Sequence, residues 1–174
     1  GTISLWAEEA ATMVALAGER PVLVGSSMGG WIALLVARRM ASPPAGMVLI
    51  APAPDFTEAL MWPSFPDAVK RQIETEGRWI RPSAYDEGGY PITRALIEDG
   101  RRNLVLTGLV ETGCPVHILQ GMEDPDVPWR HAMLLAEKIA RDDVVVTLIK
   151  DGDHRLSREE DLERLREAVA AMAG

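Results

Sequence analysis

PVLVGSSMGG, residues 21–30, joins a short apolar run to a Gly-x-Ser-x-Gly turn and passes directly into the helix-like sequence WIALLVARRM. The frame is Gly25, Ser26, Ser27, Met28, Gly29, and only Ser27 has a glycine two places away on both sides. Strand, tight turn and helix in that order describe a nucleophile elbow, in which a strained turn lifts a serine hydroxyl above the edge of a sheet. Glycines beside the serine are expected where side chains would collide with the closely packed backbone. Ser27 is therefore the candidate nucleophile, and the flanking PVLV and WIALLVARRM supply the context without which the five-residue motif says little.

The 174 residues fit one domain, a size at which about 70% of the unfolded chain's surface is buried on folding. Apolar residues make up 47% and charged residues 25%, an ordinary globular composition. A net charge of −8 repels phosphate backbones and offers no basic stripe, so nucleic acid is not an expected partner. No run reaches the roughly 18 to 20 apolar residues of a membrane span, and GTISLWAEEAATM lacks the form of a signal peptide. Cys114 is the only cysteine and reads as a small buried thiol before a strand. With no Cys/His cluster at zinc-ligand spacing, neither a metal nor another cofactor is expected.

Ile3, Trp6, Ala10, Met13, Val14 and Ala17 recur at helical spacing, which predicts an amphipathic helix leading into the Ser27 strand. Beyond the elbow, a helix over Trp31–Met40 is broken by SPPAG before the apolar run Met47–Ala51. Further runs at Pro115–Leu119 and Val144–Ile149 bracket a helix over Trp129–Ala140, and a last helix spans about Arg158 to Met172, with Ser157 as N-cap and Glu160 completing a capping box. Short apolar strands alternating with helices predict an α/β fold, a mostly parallel sheet covered by helices on both faces. Residues 53–113 interrupt this pattern. About sixty residues without an obvious strand are too many for a simple connection, so we read a helical insertion, a lid, within the domain. Met61, Trp62, Phe65 and Trp79, with Ile80, are candidates to line an apolar substrate pocket; the alternative is that they only pack the insertion.

A serine hydroxyl needs a base, and the base needs a group that fixes its tautomer. Of three histidines, His154 in DGDHRLS follows the last predicted strand, at the end of the sheet where ligands gather. His117 falls inside a predicted strand and His131 in the first turn of a helix, where it is expected to be exposed. The acid is sought in LQGMEDPDVPW, which holds Glu123, Asp124 and Asp126; Asp124, three residues past Gly121, is preferred, and the others would solvate the turn. The N–H of Met28, at the start of a helix, is a candidate oxyanion donor. A second donor ordinarily comes from a loop after an earlier strand, and none precedes Pro21 here.

GSSMGGW, GMEDPDVPW and GDHRL, in that order with an insertion between the first two, resemble the α/β-hydrolase superfamily. The likeness is nearest to the mitochondrial-type palmitoyl-protein thioesterases, also described as acyl-glucuronide esterases, and their bacterial relatives. RWIRPSAY in the insertion and DVPW after the acid are part of it. The resemblance implies Ser27 as nucleophile, Asp124 as acid, His154 as base and Met28 N–H as oxyanion donor. It further implies acyl ester or thioester substrates and a cytoplasmic setting in a bacterium or a mitochondrial one in a eukaryote. It also implies strands and an oxyanion loop before Gly1, so the chain reads as a C-terminal part with its N-terminal strands missing. The expected consequences are an unpaired edge on the Ser27 strand and a turnover lowered by about 10² to 10³ for want of one oxyanion donor. Two other functions fit the same fold: a non-catalytic binding scaffold, and a carbon–carbon hydrolase or peptidase.

Overall fold

The computed structural model describes residues 1–82, 89–140 and 143–173. Ser83–Tyr85 of RWIRPSAY thus lie outside the described residues. Two compact units are present, one formed by residues 1–5 and 55–104, the other by residues 6–54 and the chain from Val105 onward.

The larger unit is built on four parallel strands: β1 (Val22–Ser26), β2 (Gly46–Ile50), β5 (Val116–Gly121) and β6 (Val144–Ile149), side by side in the order β1-β2-β5-β6. Val48 pairs with Val24 and His117, and Ile118 with Leu49 and Val146, so the apolar runs meet in register. All five residues of β2 are buried, as a central parallel strand with two covered faces requires. On one face Val48, Ile50, Leu119 and Ile149 pack with Leu156 and with Leu165, Ala168, Val169 and Met172 of α7 (Glu159–Ala173). The helix α2 (Met28–Ala37), buried from Gly30 to Ala37, packs on β1 and β2, and α6 (Trp129–Lys138), which follows the acid loop, packs on β5 and β6. Because the strands are parallel, the turns after β1, β5 and β6 all emerge at one edge of the sheet, which gathers Ser27, Asp124 and His154.

Several expectations need correction. The first helix, α1 (Ile3–Leu16), forms, and Ile3 and Ala7 are fully buried, but Met13 and Leu16 are 65% and 78% exposed, so the apolar stripe ends before the helix does. The helix α7 begins at Glu159, leaving Ser157 two residues outside it; Arg158 instead bridges Asp161 in the first turn. His131 is buried, not exposed: its Nε2–H donates to the Pro54 carbonyl at 2.7 Å. Cys114 is buried just before β5, as expected.

The smaller unit is not purely helical. It contains a π-helical turn (Thr57–Met61), α3 (Trp62–Ser64), α4 (Asp67–Glu76) and α5 (Arg94–Arg102), together with an antiparallel hairpin of β3 (Arg78–Arg81) and β4 (Tyr90–Thr93). Gly77, at φ 81°, closes α4 in the left-handed conformation and turns the chain into β3. Cross-strand partners Trp79 and Ile92 fall on the inner face with Phe65, Ile73 and Ile97. Residues 1–5 belong here because Asp99 accepts both the Ser4 N–H (2.7 Å) and the Ser4 hydroxyl (2.8 Å). Burial pushes the Asp99 carboxyl up, but Ser4 and Arg102 bring it net below the usual carboxylate value.

In β5, His117 Nε2 lies 2.9 Å from Thr147 Oγ1, and burial holds its imidazole below the ordinary value of 6.5. The folded chain therefore resists a proton that the unfolded chain accepts, and stability is lost as pH falls through 6.5 toward the folded value. Urea unfolding at pH 7.5 and 5.5 is expected to show a smaller acid-side loss for His117→Gln than for the wild type; equal losses would remove His117 as a source of acid sensitivity.

Candidate active site

The turn at Ser27 carries a non-glycine residue at φ 53°, ψ −120°, a region that costs of order 1–3 kcal/mol and persists only where neighbours enforce it. Here the neighbours are the elements on either side. The Ser27 N–H donates to the Ile50 carbonyl at 2.8 Å, and the Ser27 carbonyl accepts from Gly30 N–H (3.0 Å) and Ala53 N–H (3.1 Å). The end of β2 thus grips the elbow from both sides. Gly25 is sterically required, since a Cβ there would stand 2.5 Å from the Gly29 carbonyl oxygen. Gly29 is different from expectation: a Cβ there meets nothing within 4 Å among the described residues. The other tight glycine of the elbow is Gly30, where a Cβ would stand 3.0 Å from Pro52 Cβ.

His154 Nε2 is 3.1 Å from Ser27 Oγ, and His154 Nδ1 is 2.7 Å from Asp124 Oδ2. A carboxylate can only accept from Nδ1, so the proton sits there and Nε2 is left free to accept from the serine hydroxyl. The Asp124 side chain is fully buried, while that of His154 keeps 24% exposure. Of the three carboxylates in the acid loop, Asp124 is the one that reaches the histidine; Glu123 and Asp126 are exposed. Asp124 Oδ1 is held by the N–H groups of Asp126 (2.8 Å) and Val127 (2.9 Å), an Asx turn that fixes the carboxylate before the imidazole arrives.

The acid and histidine loops are joined along their backbones, Met122 N–H donating to Ile149 and Glu123 N–H to Gly152. Gly121 makes this approach possible, because a Cβ there would fall on the Gly152 and Asp153 carbonyls. Asp153 then caps its own turn through Arg155 N–H (3.0 Å) and Leu156 N–H (2.9 Å). Gly121, Gly152 and Asp153 had a sequence signal, glycines and an aspartate flanking both loops, but only the fold reveals what they approach.

Ligand-type atoms of Asp124, Asp126 and His154 lie within 4.8 Å of one another. Both Asp124 oxygens carry protein donors. Met28 is the first residue of α2, at the end of the helix where the backbone dipole favours negative charge. Met61, Trp62, Phe65 and Trp79 lie in the apolar cluster of the smaller unit, Phe65 packing edge-on against Trp62 (6.4 Å) and Trp79 (5.3 Å).

Residues 3–168 match the Alpha/beta hydrolase family. The chain belongs to the α/β-hydrolase family. Its four parallel strands with flanking helices are the α/β-hydrolase fold. A crystal structure from Agrobacterium vitis S4 that bears a hydrolase name is 51% identical, with a TM-score of 0.93 over 99% of this chain and 69% of that one. Alpha/beta hydrolase domain-containing protein 10 from mouse gives 31% identity and a TM-score of 0.84 over 99% of this chain and 70% of that one. Among curated proteins, the mitochondrial palmitoyl-protein thioesterase ABHD10 of Mus musculus is 32% identical over 166 residues, 94% of this α/β-hydrolase chain and 56% of that protein. The chain spans about half the length of the curated relatives it matches. No helix among the described residues is long and apolar enough to cross a membrane.

The glycine geometry separates two substitutions that the motif treats alike. Gly25→Ala is expected to lower the urea midpoint sharply. Gly29→Ala, in the first turn of α2, should be neutral or stabilising by up to about 1 kcal/mol.

Proposed function

We propose that this α/β-hydrolase cleaves acyl thioesters or carboxylic esters through an acyl-enzyme formed on Ser27. The observation that carries the reading is the continuous relay from Asp124 Oδ2 through His154 to Ser27 Oγ, at 2.7 and 3.1 Å. His154 Nε2 takes the hydroxyl proton as Oγ attacks the acyl carbon, and Asp124 stabilises the imidazolium while keeping Nδ1 protonated. The carbonyl oxygen gains negative charge in the tetrahedral intermediate, and the Met28 N–H is oriented to donate to it. As the bond to sulfur or oxygen breaks, His154 returns the proton to the leaving group. Water, deprotonated by the same Nε2, then attacks the acyl-serine and releases the carboxylic acid.

Thioesters are included because mitochondrial ABHD10 proteins, 31–32% identical to this chain, carry the name palmitoyl-protein thioesterase. The relay itself favours neither leaving group, since both reactions pass through the same intermediate. Residues 53–113 are the candidate lid, and Met61, Trp62, Phe65 and Trp79, which cluster within it, are the proposed apolar lining for the acyl chain.

Mass spectrometry after prolonged exposure to a fluorophosphonate should find the adduct on Ser27 and not on the adjacent Ser26, with none in Ser27→Ala. Where turnover is measurable, Asp124→Asn should lower kcat by about 10⁴, the loss expected when the imidazole adopts the wrong tautomer. An adduct retained in Ser27→Ala, or unchanged turnover in His154→Ala, would remove the hydrolase reading. Matched acyl thioester and oxygen-ester substrates, compared by kcat/KM, decide the leaving group.

A further inference from the structure

We infer that Gln120 is a positioning residue that sets the proton affinity of His154 through Asp124. The inference rests on the proposed roles of Asp124 and His154. Gln120 is the last residue but one of β5 and is completely buried, in a strand whose other inward residues are aliphatic. Its amide nitrogen faces three acceptors: the Gly121 carbonyl at 2.9 Å, the Val127 carbonyl at 3.1 Å and Asp124 Oδ2 at 3.2 Å. These acceptors fix which end of the amide is nitrogen, because a flipped group would set oxygen against oxygen three times. Oε1 is buried without a partner among the described residues. A buried polar group that leaves its acceptor unsatisfied is kept for its donors.

One of these three contacts reaches the oxygen that holds His154. Asp124 Oδ1 is committed to the N–H groups of residues 126 and 127, and Oδ2 receives the His154 Nδ1–H together with the Gln120 amide. Gln120 therefore acts on the same oxygen that holds the imidazole, from within the strand and away from the reacting atoms. Two effects follow. The contacts to Gly121 and Val127 brace both ends of the acid loop, and the positive end of the amide dipole withdraws charge from Oδ2. Without it, Oδ2 would attract the Nδ1 proton more strongly and His154 would hold its second proton to higher pH.

The charged side chains on the segments meeting His154 are Glu123, Asp124 and Asp126 on the acid loop and Lys150, Asp151, Asp153, Arg155 and Arg158 on its own; substitutions at Gln120 leave all of them in place. The test follows the imidazole Cε1–H resonances against pH in the folded chain. With only three histidines, His154 is assigned by its loss in His154→Gln. Gln120→Met is expected to raise the His154 midpoint by around one pH unit, about tenfold in proton affinity, the scale of one hydrogen bond to a charged group. His117 should be unmoved. Gln120→Asn, which keeps an amide but ends one methylene short of Oδ2, should shift His154 the same way by less, and it serves where the Met variant does not fold. A cooperative, folded variant whose His154 midpoint matches the wild type would overturn the inference and leave Gln120 a structural residue. The measurement needs no turnover, so it stands apart from the fluorophosphonate result: labelling at Ser27 with an unmoved His154 sinks only the Gln120 role. A shifted His154 with no serine adduct sinks only the hydrolase reading.

Discussion

The backbone of Ser27, held at φ 53° by the end of β2, is the constraint on which the site depends. An isolated serine would relax out of this conformation. It stays because its N–H and carbonyl are both engaged, with Ile50 on one side and with Gly30 and Ala53 on the other. The strain cost, of order 1–3 kcal/mol, is offset by hydrogen bonds that exist only when β1 and β2 are paired in register. Ser27 is thus displayed by the sheet as a whole and not by five residues of motif. The same turn opens α2 directly at Met28, so one backbone device positions both the Ser27 hydroxyl and the N-terminus of a helix.

A second constraint brings the other two groups to that hydroxyl. Strands β5 and β6 are neighbours in the sheet, but neighbouring strands alone do not put a histidine on an aspartate. The loops must cross closely, and the absent side chain of Gly121 lets the Gly152 carbonyl reach Glu123 N–H at 3.0 Å. Asp124 is then locked by two backbone donors before it meets His154. Its burial, with no exposed side-chain surface, keeps water from competing for Nδ1–H.

The strands of the larger unit could be read as apolar runs because a parallel sheet covered on both faces demands them. The hairpin in the smaller unit could not, since of RWIR and YPIT only Ile92 is buried, and Pro91 within the second ordinarily argues against a strand. Motif order pointed to Ser27, His154 and the acid loop, side chains that the fold brings within hydrogen-bond reach of one another, although proximity to Gly121 alone did not separate Asp124 from Asp126. His131 was misread because a position in the first turn of a helix implies exposure, whereas its partner is a carbonyl 77 residues earlier. Gln120 was invisible for the opposite reason: a polar residue in an apolar run looks like an interruption until its acceptors are known. Gly29 completes the written motif, yet Gly25 and Gly30 carry the steric load.

How the His154 loop keeps its shape follows from charges outside the Asp124–His154–Ser27 contacts. Arg158 donates to Asp151 at 2.7 Å before the loop and to Asp161 at 2.7 Å in the first turn of α7, so one guanidinium ties the two ends of the segment carrying His154. An exposed ion pair alone contributes little. Asp161, however, is buried and takes a second bond from Arg164, so losing Arg158 would leave a buried carboxylate short of donors beside the loop. Within the segment Leu156 is buried at φ 44°, anchored in the cluster with Ile149 and Ala168. The loop is thereby fixed at its ends by charge, in its middle by an apolar side chain and at its turn by Asp153. Three unlike interactions hold a single imidazole within reach of Ser27, and none of them lies on the path of the proton.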